Sequence, residues 1–222
     1  MFDFVSASVA LIILSPLLLA LAALIAARLG RPIFFSQERT GYGRRPFNII
    51  KFRSMLDGIA PSGRILPDEE RLTPFGHWLR AWSLDELPSL INIVRGDMSV
   101  VGPRPILHSY DKLYSPGQAR RFEVRPGVTG WAQINGRNTI SWPEKFALDV
   151  WYVDNRSFWL DLKIIAATLV RVFRRQGINS AEAGTMPAFR GETALPGEAA
   201  EPQGRPCTQE SSTAPSAPRG ET

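Results

Sequence analysis

Two adjacent carboxylates, Asp85 and Glu86, stand in the stretch "WSLDELPSL" at 82–90, ahead of Pro88 and among leucines. Paired acids of this kind can do chemistry in two ways. One carboxylate can act as a nucleophile, and the other can hold a cation or move a proton. A structural account competes with this one. Ser83 followed three residues later by Glu86 has the spacing of a capping box, with Trp82 and Leu87 as its hydrophobic staple. A second register makes Asp85 the N-cap and puts Pro88 in the first turn. Either register puts Leu84, Leu87, Ile91 and Val94 on one helical face and Asp85, Ser89 and Asn92 on the opposite one. Capping accounts for one of the two acids, not both.

Around the acids the chain is rich in arginine. Of its 222 residues, 26 are Lys or Arg, and only Lys51, Lys112, Lys145 and Lys163 are lysine. Six acids and three arginines fall after residue 180, which leaves 23 basic and 15 acidic residues in 1–180, a net +8. Planar guanidinium groups pair with phosphate through two parallel hydrogen bonds. The balance therefore suits a nucleotide, an anionic membrane or a nucleic acid. A single cysteine, Cys207, excludes an internal disulfide framework and thiolate zinc clusters, and His77 and His108 are too few for a histidine-rich metal site.

The elements that must position these groups are legible in part. Residues 4–27 carry no charge over 24 positions, a length that as a helix reaches ~36 Å and is enough to cross a bilayer core. Asp3 at the start and the length of the run do not fit a signal peptide. Ser15-Pro16 interrupts its middle. Pro16 frees the carbonyl of Ile12, and Ser15 can bond back to the carbonyl of Leu11. A kinked spanning helix and a bent helix that returns to its own face are both compatible with this. Arg28, Arg31, Arg39, Arg44 and Arg45 follow at once and place the next domain in the cytoplasm. The apolar start disfavours a nucleic-acid binder.

A strand is expected in "FNIIKFRSM" (47–55), after a turn at Gly41-Tyr42-Gly43, with Lys51 and Arg53 on one face. Residues 57–72 read as a polar loop, and 74–82 as an aromatic segment at membrane-interface depth. "RGDMSVVGPRP" (95–105) and "RPGVTGWAQINGRN" (125–138) read as ordered loops carrying Arg104 and Arg137. Helices are expected at 143–156 and 159–176. The second has an apolar stripe of Leu162, Ile165, Leu169 and Val172 with basic flanks, suited either to an anionic membrane surface or to a core. Residues 181–222 are too poor in large apolar side chains to fold. This gives three regions: a membrane helix (1–30), a catalytic domain (31–180) and a disordered tail (181–222). The expected class is α/β, mostly α, with a short strand element. No internal repeat is present.

In order and spacing, "LSPLLL", "IIKFRSM", "LRAWSLDELPSLINIVRGDMSVVGPRP", "RPGVTGWAQINGRN" and "WYVDNRSFWLDLKI" resemble the bacterial sugar transferase family, the polyprenyl-phosphate phosphoglycosyl transferases, over residues 2–178. The resemblance implies a small monotopic enzyme of the bacterial inner membrane. Its Ser15-Pro16 helix would be re-entrant, with the catalytic domain on the cytoplasmic face. The activity implied is transfer of a sugar-1-phosphate from a UDP-sugar to polyprenyl phosphate, an early membrane step of glycan assembly. Asp85 would be the nucleophile that carries the phosphosugar and a ligand of Mg²⁺. Glu86 would be its partner in metal binding or acid–base work. Lys51, Arg80, Arg104 and Arg137 would surround the phosphates. A membrane-bound nucleotide-sugar or lipid-phosphate hydrolase would need the same parts, and an inactive membrane-tethered interaction protein would not need both acids. The sugar is not named by the sequence, and a homo-oligomer is left open.

Overall fold

The computed structural model describes residues 1–58, 68–136 and 140–174, together with Phe189 and Gly191. A single helix, α1 (Phe2–Leu29), opens the chain, and it is the one helix among the described residues long and apolar enough to cross a membrane. The rest of the body follows. An antiparallel hairpin pairs β1 (Phe34–Thr40) with β2 (Pro46–Phe52), in a register that sets Arg39 opposite Phe47 and Phe35 opposite Lys51. Then come α2 (Pro74–Ala81), a 3₁₀ turn over Leu84–Ser89, and α3 (Leu90–Arg95). Two short strands, β3 (Ser99–Val101) and β4 (Gly127–Thr129), pair in parallel. The body closes with α4 (Trp142–Asn155) and α5 (Phe158–Arg174). The class is mostly helical with two small sheets.

Helix α1 continues through Pro16, and the Ser-Pro pair shows how. Proline lacks the N–H that would serve the carbonyl of Ile12. The Ser15 hydroxyl donates to that carbonyl at 2.8 Å. The acceptor is thus Ile12, not the Leu11 carbonyl expected from the sequence. The exposed middle of α1 presents Ile12, Ile13 and Leu19 outward. Both ends of the helix touch the body. Leu21, Ile25 and Leu29 bury against Phe52 and Leu79, and Ala7 packs with Ile49, Ile93 and Met98. Asp3, in the first turn, accepts from the Ser99 hydroxyl at 2.8 Å and from the Val100 N–H at 3.3 Å.

The two Gly-Pro-rich segments expected to be ordered loops contain β3 and β4. Glycine is required where they meet. A Cβ on Gly102 would lie 2.3 Å from the Arg125 carbonyl oxygen, and one on Gly127 would lie 2.1 Å from the Gly102 nitrogen. Three-residue strands are set by this close approach and not by side-chain alternation, so they leave no period-two pattern to read.

Helix α4 starts on a capping box, Ser141 with Glu144. Helix α5 differs from its expected stripe. Ile164 is the fully buried position, packed with Tyr152 and Val153, whereas Leu169 is 54% exposed. The apolar residues of α5 form two faces. Phe158, Trp159, Leu169 and Val170 stay on the outer one, and the Phe158 ring meets Phe2 of α1 edge-on.

Candidate active site

The site is assembled where α3 docks on β2. Asn92 is fully buried and behaves as an extra rung of the sheet: its Nδ2 donates to the Asn48 carbonyl at 2.8 Å, and its Oδ1 accepts from the Ile50 N–H at 2.9 Å. The Ser89 hydroxyl donates to the Ile50 carbonyl at 2.9 Å. The polar face read as Asp85, Ser89 and Asn92 is therefore the face turned inward. It fixes Lys51 beside the turn that carries the two acids.

That turn is no capping box. Ser83 is in the left-handed region at φ 53° and makes no side-chain cap, and the segment Leu84–Ser89 is a 3₁₀ helix. Glu86 instead turns to the cations. It accepts from Lys51 Nζ at 2.8 Å, and Arg104 grips it through both terminal nitrogens. Burial alone would raise the Glu86 pKa, but Arg104 and Lys51 outweigh burial and hold the carboxyl well below the usual carboxylate range. Asp85 has the opposite setting. Its carboxylate is buried and accepts no hydrogen bond among the described residues. Burial, and then the Glu86 charge, push its pKa up to about 6 despite Lys51, Arg104 and Arg80. One acid is clamped and fixed as an anion. The other is unclamped, poorly solvated and still ionised at neutral pH, which suits a nucleophile.

Arg80, on the last turn of α2, donates from Nε to the Ser54 hydroxyl at 2.9 Å and adds to the positive field at Asp85. Arg137 lies outside the described residues. Arg53 was expected to share a strand face with Lys51. It lies just past β2, and its guanidinium donates to the carbonyls of Arg31 and Met55.

Two functional neighbours were not among the residues expected from the sequence. Arg121 forms a buried ion pair with Asp149 at 2.8 Å, both side chains 1% exposed, and donates to the Arg104 carbonyl at 2.7 Å. It fixes the backbone from which Arg104 reaches Glu86. Its guanidinium lies 5.2 Å from the centre of the Phe146 ring. Arg39, on β1, lines the same cleft as Lys51, Glu86 and Arg104. Neither arginine sits in a local pattern that distinguishes it from the other arginines of the chain; tertiary packing alone brings both to the site.

As a metal site the cluster is sparse. No group of three or more metal-ligating side chains occurs among the described residues. Magnesium is commonly held by one or two carboxylates with the remaining positions taken by water and substrate phosphate oxygens. Asp85, with its unbonded carboxylate, fits that role.

Comparison with known proteins gives a consistent result. The family model described as bacterial sugar transferase matches residues 1–175. The uncharacterized sugar transferase EpsL of Bacillus subtilis is 50% identical, over 86% of this chain and 95% of its own length. The exopolysaccharide production protein ExoY of Rhizobium meliloti is 39% identical, over 79% of this chain and 85% of its own length. A UDP-glucose:undecaprenyl-phosphate glucose-1-phosphate transferase of Caulobacter vibrioides is 41% identical over 75% of this chain and 66% of its own length.

Proposed function

Because the chain belongs to the bacterial sugar transferase family, we propose that it transfers a sugar-1-phosphate from a UDP-sugar to undecaprenyl phosphate and releases UMP. The name of the relative from Caulobacter vibrioides supports this donor and acceptor chemistry. The observation that carries it to these residues is the unequal pair: Asp85 unbonded beside a Glu86 locked between Lys51 and Arg104.

In the first step an Asp85 oxygen attacks the β-phosphorus of the UDP-sugar. A bond forms between that oxygen and phosphorus, the bond from phosphorus to the oxygen shared with the α-phosphate breaks, and UMP leaves with the electron pair. In the second step an oxygen of the lipid phosphate attacks the same phosphorus and Asp85 departs as a carboxylate. Lys51 and Arg104 stabilise charge on the phosphoryl oxygens, while Arg80 lowers the cost of the Asp85 anion. Bound at Asp85, Mg²⁺ would supply charge neutralisation between carboxylate and diphosphate.

The arrangement on the membrane is part of the proposal. A re-entrant α1 keeps both its ends on the cytoplasmic side of the inner membrane, next to the headgroup of the acceptor. The contacts of Asp3 with Ser99 and Val100 at one end, and of Leu29 with the body at the other, support this reading.

The test is a panel of UDP-sugars incubated with the purified chain, undecaprenyl phosphate and Mg²⁺. One sugar should yield UMP and lipid-linked sugar diphosphate in equal amounts. Release of free sugar phosphate at the same rate without lipid would instead establish a hydrolase.

A further inference from the structure

Lys51 and Arg104 are both engaged by Glu86, so neither is a spare cation. Arg39 is different. It lines the cleft with them, yet has no carboxylate within ion-pair distance among the described residues. Its Nη1 reaches the Pro105 carbonyl only at 3.4 Å, its Nη2 donates to the neutral Gln37 side chain, and its Nε is buried with no partner. A buried charged donor left unsatisfied is costly. A neighbouring cation makes the cost larger: burial first, and then the like charge of Arg104, lower the Arg39 pKa, and the Glu86 charge offsets only part of this. The cleft therefore holds a third cation, Arg39, that makes no ion pair with Glu86.

We infer that Arg39 is a phosphate ligand of this site, binding an oxyanion of the diphosphate donor or of the lipid phosphate acceptor through a guanidinium that no carboxylate among the described residues engages. The identity of the phosphate rests on the function proposed above; the anion site itself rests on the residues just named. The fork geometry matters, because a guanidinium offers two parallel donors to one phosphate and an ammonium does not. In this arrangement Glu86 presents Lys51 and Arg104 in fixed positions, and Arg39 supplies the contact that is completed only when the anion arrives.

The experiment measures binding to the purified full chain by titration calorimetry, with UDP and with inorganic pyrophosphate, both in Mg²⁺, and measures the KM for undecaprenyl phosphate in parallel. Arg39→Gln should weaken UDP binding at least tenfold with a melting temperature close to wild type, and Arg39→Lys should recover part of the loss. Unchanged UDP binding with a tenfold rise in the KM for undecaprenyl phosphate would assign Arg39 to the acceptor phosphate and also support the inference. If neither quantity moves by more than twofold, the inference is overturned. If Arg39→Gln does not fold, Arg39→Lys decides: wild-type affinities in that variant overturn the bidentate contact. A wild-type chain that binds pyrophosphate but not UDP would sink the UDP-sugar reading while leaving Arg39 to be judged by pyrophosphate alone; binding of neither sinks both.

Discussion

Asp85 and Glu86 are joined by one peptide bond, yet their carboxylates are held in opposite electrostatic settings. Glu86 is tied to Lys51 and Arg104, and Asp85 is tied to nothing among the described residues. The 3₁₀ geometry of Leu84–Ser89 allows the split, because neither acid is spent on a helix cap.

The Asp85 pKa of about 6 predicts the acid limb of the pH profile. Activity should fall about tenfold per pH unit on that limb as the nucleophile takes up a proton, with the midpoint lowered below 6 when Mg²⁺ sits on Asp85. Stability moves the other way. The folded chain holds the Asp85 proton more tightly than the unfolded chain, so this group's contribution falls as pH rises from about 4 to 6. Asp85→Asn should therefore abolish turnover while raising the neutral-pH stability of the ligand-free protein, by at most about 3 kcal/mol. Rate profiles and denaturant melts at pH 5 and pH 7 check both signs.

Glu86→Gln has the opposite expected sign. The Glu86 pKa is depressed in the fold, so its contribution is present above the ordinary carboxylate range and is lost only in strong acid. Removing the charge leaves Lys51 and Arg104 half-buried without their counter-ion, at a cost of about 3 kcal/mol or more. Melts should show this variant well below Asp85→Asn. Equal stability of the two would contradict the division of roles.

Arg121→Met should disturb the reaction from a distance. It strands Asp149 in the core and releases the Arg104 carbonyl. The expected cost is about 3–5 kcal/mol of stability. The double variant Arg121→Met with Asp149→Leu should recover most of that stability but not the activity, since Arg104 stays unpinned. Full recovery of kcat in the double variant would show that Arg121 does not position Arg104.

Gly102→Ala is expected to be among the worst small substitutions in the chain. The added methyl meets the Arg125 carbonyl oxygen at 2.3 Å, and backbone, not a flexible side chain, is what must move. Overpacking of this kind costs about 1–3 kcal/mol. A melting temperature within a degree of wild type would show that β3 and β4 separate easily.

Ser15 and Pro16 should be non-additive. Ser15→Ala leaves the Ile12 carbonyl without a donor in an apolar medium, costing about 1–3 kcal/mol. In a Pro16→Ala background the restored backbone N–H serves that carbonyl, and loss of the hydroxyl should cost far less. A double-mutant cycle in bilayers reads the coupling, and additive effects would contradict the hydroxyl's role. For topology, a cysteine beside Met1 with Cys207 replaced should react with an impermeant thiol reagent only after permeabilisation. Labelling in intact cells would show that α1 spans.

What could be read from the sequence follows from the range of each interaction. The apolar helix, the β2 strand and the helix over 142–155 are local patterns, and the structure has them. The paired acids and the cations of "VGPRP" and "IIKFRSM" were found by motif, and the structure brings Lys51, Arg80, Asp85, Glu86 and Arg104 together. The misreadings arose where a local rule met a tertiary competitor. Glu86 had the spacing of a capping box, but two half-buried cations are stronger partners than one backbone N–H. The helix at 158–174 showed an apolar periodicity, but it carries two apolar faces, so periodicity could not tell which one packs inward. Arg39 and Arg121 gave no signal, because what distinguishes them is the shortage or presence of a distant carboxylate.

The bond from Asp3 to Ser99 spans 96 residues of sequence. Synthesised 96 residues before Ser99, Asp3 must wait for its partner until the hairpin, the paired acids and α3 have all been made. Membrane entry of the apolar helix and closure of its first turn onto β3 are thus separate events in time. The first turn of the helix can therefore dock only when β3 exists to receive it, after the segment that carries the paired acids.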